Sequence, residues 1–158
     1  IANETFTLNA ESYMVSLDRL HLDFDSAFGS SSTCETRTVV ANHNAYSYIT
    51  QRYNIEFVTI HGLDPEGEPP AENLIKVRNK INEENIKTIF IEEYTLETAV
   101  DGIVEDTGVE VLYLYTMEMR PTDGVNAFDR GGQSDSSDDY LSLMDKNLEN
   151  LKSGLGCA

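Results

Sequence analysis

Basic residues are scarce in this sequence. Eleven Lys and Arg stand against 28 Asp and Glu, which gives a formal net charge of −17 at pH 7. A surface of that sign repels phosphate backbones and anionic lipid headgroups, so we expect no nucleic-acid binding and no direct binding to a membrane surface. Such acidity is typical of solubility or salt adaptation; the alternative is that it gathers cations near a site.

Long apolar runs are also missing. No run approaches the roughly 20 residues that a membrane-spanning helix needs, so we expect no membrane insertion by this segment. The 158 residues, 40% of them hydrophobic, suit one domain with a single core. The chain begins at Ile1 without a signal-type apolar segment, which predicts a processed or truncated product.

Only two cysteines are present, Cys34 and Cys157. Neither stands in a CxxC spacing or has a His at zinc-finger distance, which argues against a structural zinc site. They form either a disulfide or two unrelated thiols. A disulfide would tie the start of the first strand region to the last helix and would stabilise the fold by about 4 to 5 kcal/mol in the chain-entropy model. It would also indicate an oxidising compartment.

Strand and helix patterns alternate along most of the chain. A first helix, entered from the Asn9 region, places Tyr13, Leu17, Leu20 and Phe24 on one stripe. Strand patterns follow at "RTVVAN", "EFVTIHG", "KTIFIEE" and "VEVLYLYT", each with a helix after it, at about residues 44–53, 71–84, 96–107 and 138–153. The polar stretch between residues 117 and 137 is predicted to be a surface loop. This alternation predicts an α/β fold, a four-stranded parallel sheet flanked by helices on both faces.

Side chains that can bind metal follow the predicted strands. Strand one ends at His43, strand two at His61, strand three at Glu92 and Glu93, and strand four at Met117 and Glu118. Parallel strands bring their carboxyl ends to one edge, where open sheets bind ligands. Two imidazoles and three carboxylates suit zinc, manganese or iron. Each also has a plainer explanation: a histidine at a strand end is often a hydrogen-bonded core residue, a glutamate at a helix start complements the dipole, and a methionine packs.

Several stretches resemble one protein family in the same order along nearly the whole chain. The stretch "VVANHNAYSYITQRYNIEFVTIHGLDPEGEPP" is similar to the one in the metal receptors of zinc and manganese ABC importers, the cluster A-I solute-binding proteins. There it commonly reads as a strand, "SHDAFGYFAKRYG", then "GLSPEAEPSP". "IKTIFIEE" is similar to that family's "VKAIFVEP", and "DDYLSLMDKNLENLKSGL" resembles its final helix, "YLSLMRANLEALKKGL". The opening "NAESYMVSLDRLHLDF" resembles the end of the helix that joins the two lobes of those receptors.

The resemblance implies a role for individual residues. The histidine of "SHDAFGYF" is a metal ligand in the family, and it matches His43 here. The family's other ligand from this lobe is usually an aspartate, and the matching position is Met117, so Glu118 becomes the carboxylate candidate. His61 and Glu92 match no family ligand; we place them, with Met117, on the cleft rim or beside a metal-binding residue that they would orient.

The resemblance also implies a place within a larger receptor. We expect residues 1–30 to be the end of the inter-lobe helix and residues 31–158 to be the C-terminal lobe, with the N-terminal lobe absent from this chain. The implied function is an extracytoplasmic receptor, lipid-anchored or secreted, that passes zinc, or alternatively manganese, to the membrane permease of an ABC importer. It performs no chemistry on its ligand, so no enzyme is expected.

Two other functions stay open at this point. A metal-assisted hydrolase could use Glu92 or Glu93 as a base. Against it, the sequence has no nucleophile elbow, no glycine-rich phosphate loop after the first strand and no HxxxH pair. A surface adhesion module is the third possibility, and a large exposed apolar patch would favour it.

Overall fold

Four short, mostly apolar stretches form the strands of this protein. The computed structural model describes residues 2–62, 69–92, 95, 97–117 and 137–158. The elements are α1 Ala2–Phe28, β1 Thr38–Ala41, α2 Ser47–Tyr53, β2 Glu56–Thr59, α3 Ala71–Glu84, β3 Thr88–Glu92, a 3₁₀ turn Glu97–Ala99, α4 Asp101–Thr107, β4 Glu110–Leu114 and α5 Tyr140–Leu155. The predicted fold class is confirmed. Within the described ranges, no helix combines the length and the apolar character needed to cross a membrane.

The strands form one parallel sheet in the order β2-β1-β3-β4. The chain first moves outward from β1 to β2 and then returns to place β3 on the other side of β1. The strand order therefore reverses between β1 and β3, and these two strands form the centre of the sheet. Their register pairs Val40 with Ile89 and Ala41 with Phe90.

Helices cover both faces of the sheet, as the burial of every residue in β1 and β3 requires. Alternate strand residues point to opposite faces. One face packs against α1, α2 and α5 and has a core of Leu20, Phe24, Ala27, Phe28, Val39, Ala41, Tyr46, Ile55, Phe90, Leu114, Leu148, Leu151 and Leu155. The other packs against α3 and α4 and has a core of Val40, Val58, Ile60, Val77, Ile81, Ile86, Ile89, Ile91, Val100, Ile103 and Val109.

The first helix starts earlier than its sequence pattern suggests. It is helical from Ala2, so the expected entry near Asn9 was wrong. The residues before Asn9 carry polar and β-branched side chains that weaken the helical pattern. In the structure the Thr7 hydroxyl donates to the Asn3 carbonyl at 3.0 Å, one turn back, which lets a threonine sit inside the helix.

A disulfide joins the segment after α1 to the segment after α5. Cys34 and Cys157 form the predicted disulfide across 123 residues of sequence. Backbone hydrogen bonds accompany it, from Glu35 N–H to the Leu155 carbonyl at 3.0 Å and from Ala158 N–H to the Thr33 carbonyl at 3.3 Å. The segment that leaves α1 is therefore fixed to the end of α5.

The last helix begins with a capping box and lies close to the sheet. The Asp139 side chain accepts from Ser142 N–H at 3.0 Å, and the Ser142 hydroxyl accepts from Asp139 N–H at 2.9 Å. At the other end, a Cβ on Gly154 would collide with the ring of Phe90. The helix approaches β3 this closely only because that position has no side chain.

Candidate metal site

His43 and Glu92 meet where the strand order reverses. His43 lies two residues beyond the end of β1, and Glu92 is the last residue of β3. The Asn42 backbone N–H donates to the Phe90 carbonyl at 3.0 Å, so the pairing with β3 continues past the end of β1. Two residues on from the Ala41–Phe90 pair, the same register brings His43 opposite Glu92. Both side chains point to the face covered by α1 and α5.

The imidazole and the carboxylate are in direct contact, with Nδ1 of His43 against Oε1 of Glu92. Only 8% of the His43 side chain and 10% of the Glu92 side chain are exposed. The sequence placed both residues at the carboxyl edge of the sheet; in the structure they form a largely buried pair there. Burying both groups is tolerable because each satisfies the other, whereas an isolated buried carboxylate would be costly.

Tyr46 anchors the loop that carries His43. Its hydroxyl donates to the carbonyl of Leu114, the last residue of β4, at 3.0 Å. Its ring is buried and stacks on Phe57 of β2, with the ring centres 5.3 Å apart. One side chain thus links the loop after β1 to the strands on both sides of the central pair. This contact explains why an aromatic residue stands three positions after the histidine.

Asn147 of α5 holds the chain as it leaves β4. Its amide nitrogen donates to the Tyr115 carbonyl at 2.8 Å, and its amide oxygen accepts from Tyr115 N–H at 2.7 Å. Asn150, one turn later, donates to the Tyr113 carbonyl at 2.9 Å. The two amides extend the hydrogen bonding of an edge strand beyond its end, so the chain follows a fixed path to Met117.

The predicted fourth strand extended through Thr116, but β4 ends at Leu114. Met117 therefore lies three residues past the strand, is partly buried and has a left-handed backbone with φ of +63°. That backbone conformation is uncommon for a residue with a long side chain. Glu118, the carboxylate candidate, lies outside the described residues, as do Glu93 and most of the "DPEGEPP" motif.

His61 follows β2 and is half-buried. The backbone N–H of His61 donates to the Asn42 carbonyl at 2.8 Å, and the backbone N–H of Asn44 donates to the Gly62 carbonyl at 3.2 Å. Pairing between the segments that follow β1 and β2 thus continues past the strands and places His61 next to His43 in register. Even so, among the side chains of the described ranges no three His, Cys, Asp or Glu are grouped closely enough to hold a metal ion.

The site can supply one well-oriented nitrogen ligand. With Nδ1 facing a carboxylate, a metal bound by His43 would coordinate through Nε2, and an imidazole paired with a carboxylate is the arrangement that zinc-binding histidines commonly adopt. The arrangement also contains supports that we did not predict from sequence. Tyr46 was visible only as an aromatic residue near the histidine. Asn147 was visible only as a polar residue on the apolar stripe of the last helix.

Comparison with known proteins identifies related receptors. Residues 2–154 match the family described as "ZnuA: Zinc-uptake complex component A periplasmic". The high-affinity zinc uptake system protein ZnuA of Bacillus subtilis is 26% identical over 153 residues, which cover 96% of this chain and 44% of that protein.

Solved structures of similar fold include proteins of the same kind. The laminin-binding protein Lbp of Streptococcus pyogenes has a TM-score of 0.76 at 27% identity, with 95% of this chain and 53% of that chain covered. The Zn(II)-bound ZnuA-like domain of Streptococcus pneumoniae AdcA has a TM-score of 0.71 at 26% identity, with 96% and 52% covered. The chain spans about half the length of these relatives.

Proposed function

The chain belongs to the family of periplasmic zinc-uptake complex component A, and from that premise we propose that it is the C-terminal lobe of a metal receptor. The receptor binds a divalent transition metal, zinc rather than manganese, outside the cytoplasm and delivers it to the permease of an ABC importer. The observation that carries this proposal is the position of His43 at the carboxyl edge, beside the point where the strand order reverses.

His43 is the ligand that this lobe provides in the proposal. Zinc accepts imidazole nitrogen readily, and the order of divalent-metal affinities favours zinc over manganese at a nitrogen and oxygen site. The remaining ligands come from a second lobe and from Glu118, which takes the place of the family's aspartate. The binding site is then completed only when the two lobes close on the ion, which suits a receptor that must also release it.

The first helix supports the proposed division of the chain into residues 1–30 and 31–158. In α1, the residues buried in the lobe core begin at Leu20. Nearer the start of the helix, Phe6 is 73% exposed and Val15 is 68% exposed. Apolar side chains on a helix that projects from a lobe are expected where a second lobe packs against it. We therefore assign this helix to the connection between lobes.

The alternatives receive less support. A hydrolase needs a carboxylate that can reach water. Glu92, one of the two candidate bases, contacts His43 and has only 10% of its side chain exposed; Glu93, the other, lies outside the described residues. An adhesion surface is not proposed, because most of the large exposed apolar side chains in the described residues lie along α1: Phe6, Leu8, Tyr13, Met14, Val15 and Leu22. The disulfide suits an extracytoplasmic protein.

The test is zinc titration of the full-length receptor by calorimetry, with and without His43→Ala. We expect the variant to lose at least about 100-fold in affinity, since one direct ligand is removed. His21→Gln is the matched control, because His21 is an imidazole of α1 whose Nδ1 lies 3.0 Å from the Tyr53 hydroxyl. Unchanged affinity in His43→Ala would refute the proposed function.

Two further titrations test the half-site. The isolated 158-residue chain should bind zinc weakly, and tight one-to-one binding would contradict the need for a second lobe. In the full-length receptor, Glu118→Gln should weaken binding, and an unchanged value would exclude Glu118 as the carboxylate ligand. Manganese, titrated in parallel, should bind more weakly than zinc.

A further inference from the structure

We propose that Glu92 is the positioning residue of His43 and decides which imidazole nitrogen binds the metal. Its carboxylate accepts a hydrogen bond from Nδ1–H, which fixes the plane of the ring and directs the lone pair of Nε2 outward from the pair. The inference rests on the proposed function, because it requires His43 to be a zinc ligand.

Backbone pairing that continues just past the end of β1 brings the two side chains together. Glu92 is the last residue of β3, and His43, two residues after β1, continues the β1–β3 register to the position opposite it. The hydrogen bond from the Asn42 N–H to the Phe90 carbonyl keeps the two segments paired there. A carboxylate at the end of one strand and an imidazole just beyond its neighbour are therefore held by the sheet itself. Glu92, the partner that positions the ring, therefore stands on a strand, and strands position a site more accurately than loops do.

Each ring nitrogen of a neutral imidazole has a distinct role. One carries the proton and donates, while the other has the lone pair that can bind a metal. A carboxylate acts only as an acceptor, so a Glu92 carboxylate in contact with Nδ1 selects the form protonated at Nδ1. It also makes the imidazole a better electron donor to a cation. Loss of such a partner typically lowers metal affinity by about 10- to 100-fold.

The loop after β1 limits how else the ring could be oriented. Tyr46, three residues after His43, is tied to the Leu114 carbonyl. The backbone of His43 is thus fixed on one side by β3 and on the other by this anchor. What remains free to vary is rotation of the side chain, and the Glu92 contact restricts that rotation.

Two substitutions separate positioning from simple packing. Glu92→Ala removes the acceptor. Glu92→Gln removes the charge but keeps an amide oxygen that can accept from Nδ1–H. The matched control is Glu110→Gln, the same change at an exposed residue that begins β4, at the opposite edge of the sheet. Circular dichroism establishes that each variant folds.

The first readout is the protonated nitrogen of His43 in the metal-free chain, read from two-bond ¹H–¹⁵N correlation spectra. We expect Nδ1–H in the wild type and in Glu92→Gln, and a shift toward Nε2–H in Glu92→Ala. The second readout is zinc affinity of the full-length receptor by competition with a chromogenic chelator. We expect a loss of about 10- to 100-fold in Glu92→Ala, a smaller loss in Glu92→Gln and no change in Glu110→Gln.

Several outcomes would overturn the inference. If His43 of the wild type is protonated at Nε2, the inference is overturned. It is also overturned if Glu92→Ala folds and keeps its zinc affinity within about twofold of the wild type, well short of the expected loss. If Glu92→Ala does not fold, Glu92→Gln decides: protonation at Nε2 with unchanged affinity overturns the inference, and retained Nδ1–H supports it. His43→Ala separates the two proposals, because unchanged zinc affinity there refutes the receptor function itself.

Discussion

Replacing Asn147 tests whether the carboxyl edge is held in place by a single buried amide. The side chain is 1% exposed and makes two hydrogen bonds to the backbone of Tyr115, at 2.7 and 2.8 Å. Asn147→Ala removes both. Asn150→Ala is the matched control, because it removes one hydrogen bond, to the Tyr113 carbonyl, from the same helix to the same segment.

The expected magnitudes follow from the number of bonds lost. In a position closed to water, each backbone group deprived of its partner costs about 1 to 3 kcal/mol. Asn147→Ala should therefore lower the free energy of unfolding by about 2 to 6 kcal/mol, and Asn150→Ala by about 1 to 3 kcal/mol. Asn147→Leu, which restores most of the volume, should remain destabilised because it restores neither bond.

Urea unfolding followed by far-ultraviolet circular dichroism gives these values, since the chain has no tryptophan to serve as a fluorescence probe. A loss below about 1 kcal/mol in Asn147→Ala, or a loss no larger than that of Asn150→Ala, would show that Asn147 does not hold the end of β4. Because Tyr115 leads directly to Met117, zinc affinity of the full-length Asn147→Ala receptor should fall as well.

Three other changes test separate supports. Replacing Cys34 and Cys157 with Ser should lower the free energy of unfolding by about 4 to 5 kcal/mol, mainly by freeing the unfolded chain, and equal urea midpoints with and without the bridge would exclude this. Tyr46→Phe should cost about 1 to 3 kcal/mol by leaving the Leu114 carbonyl without its partner, measured in the same way; no change would mean that the hydroxyl does not anchor the loop. Hydrogen bonding to the Lys80 ammonium lowers the pKa of Glu84 below its usual 4.5, so its contribution is present above that pH and is lost as the pH falls through the lowered value. Glu84→Gln should therefore be less stable than the wild type by a few tenths of a kcal/mol at pH 7, with the difference vanishing in acid, whereas a difference that persists at low pH would exclude this pair as its source.

Local sequence patterns predicted most of the strands and helices. The apolar patterns around Val39, Phe57, Phe90 and Leu114 identified the four strands, because strands of a parallel sheet covered on both faces are rich in apolar residues. Boundaries were less accurate. The fourth strand ends two residues earlier than its pattern, because the last ladder position is taken over by the Asn147 side chain.

What the sequence determined by itself is the set of strands and helices and the candidate residues that follow the strands, because hydrophobic periodicity is encoded locally. It left open whether Cys34 and Cys157 pair, and the structure decided that they do. Only the tertiary structure decided which candidates touch. His43 and Glu92 are far apart in sequence, and their contact depends on the register between β1 and β3, which no local pattern specifies. The same holds for Tyr46 and Asn147, whose polar groups bond to the backbone of distant residues.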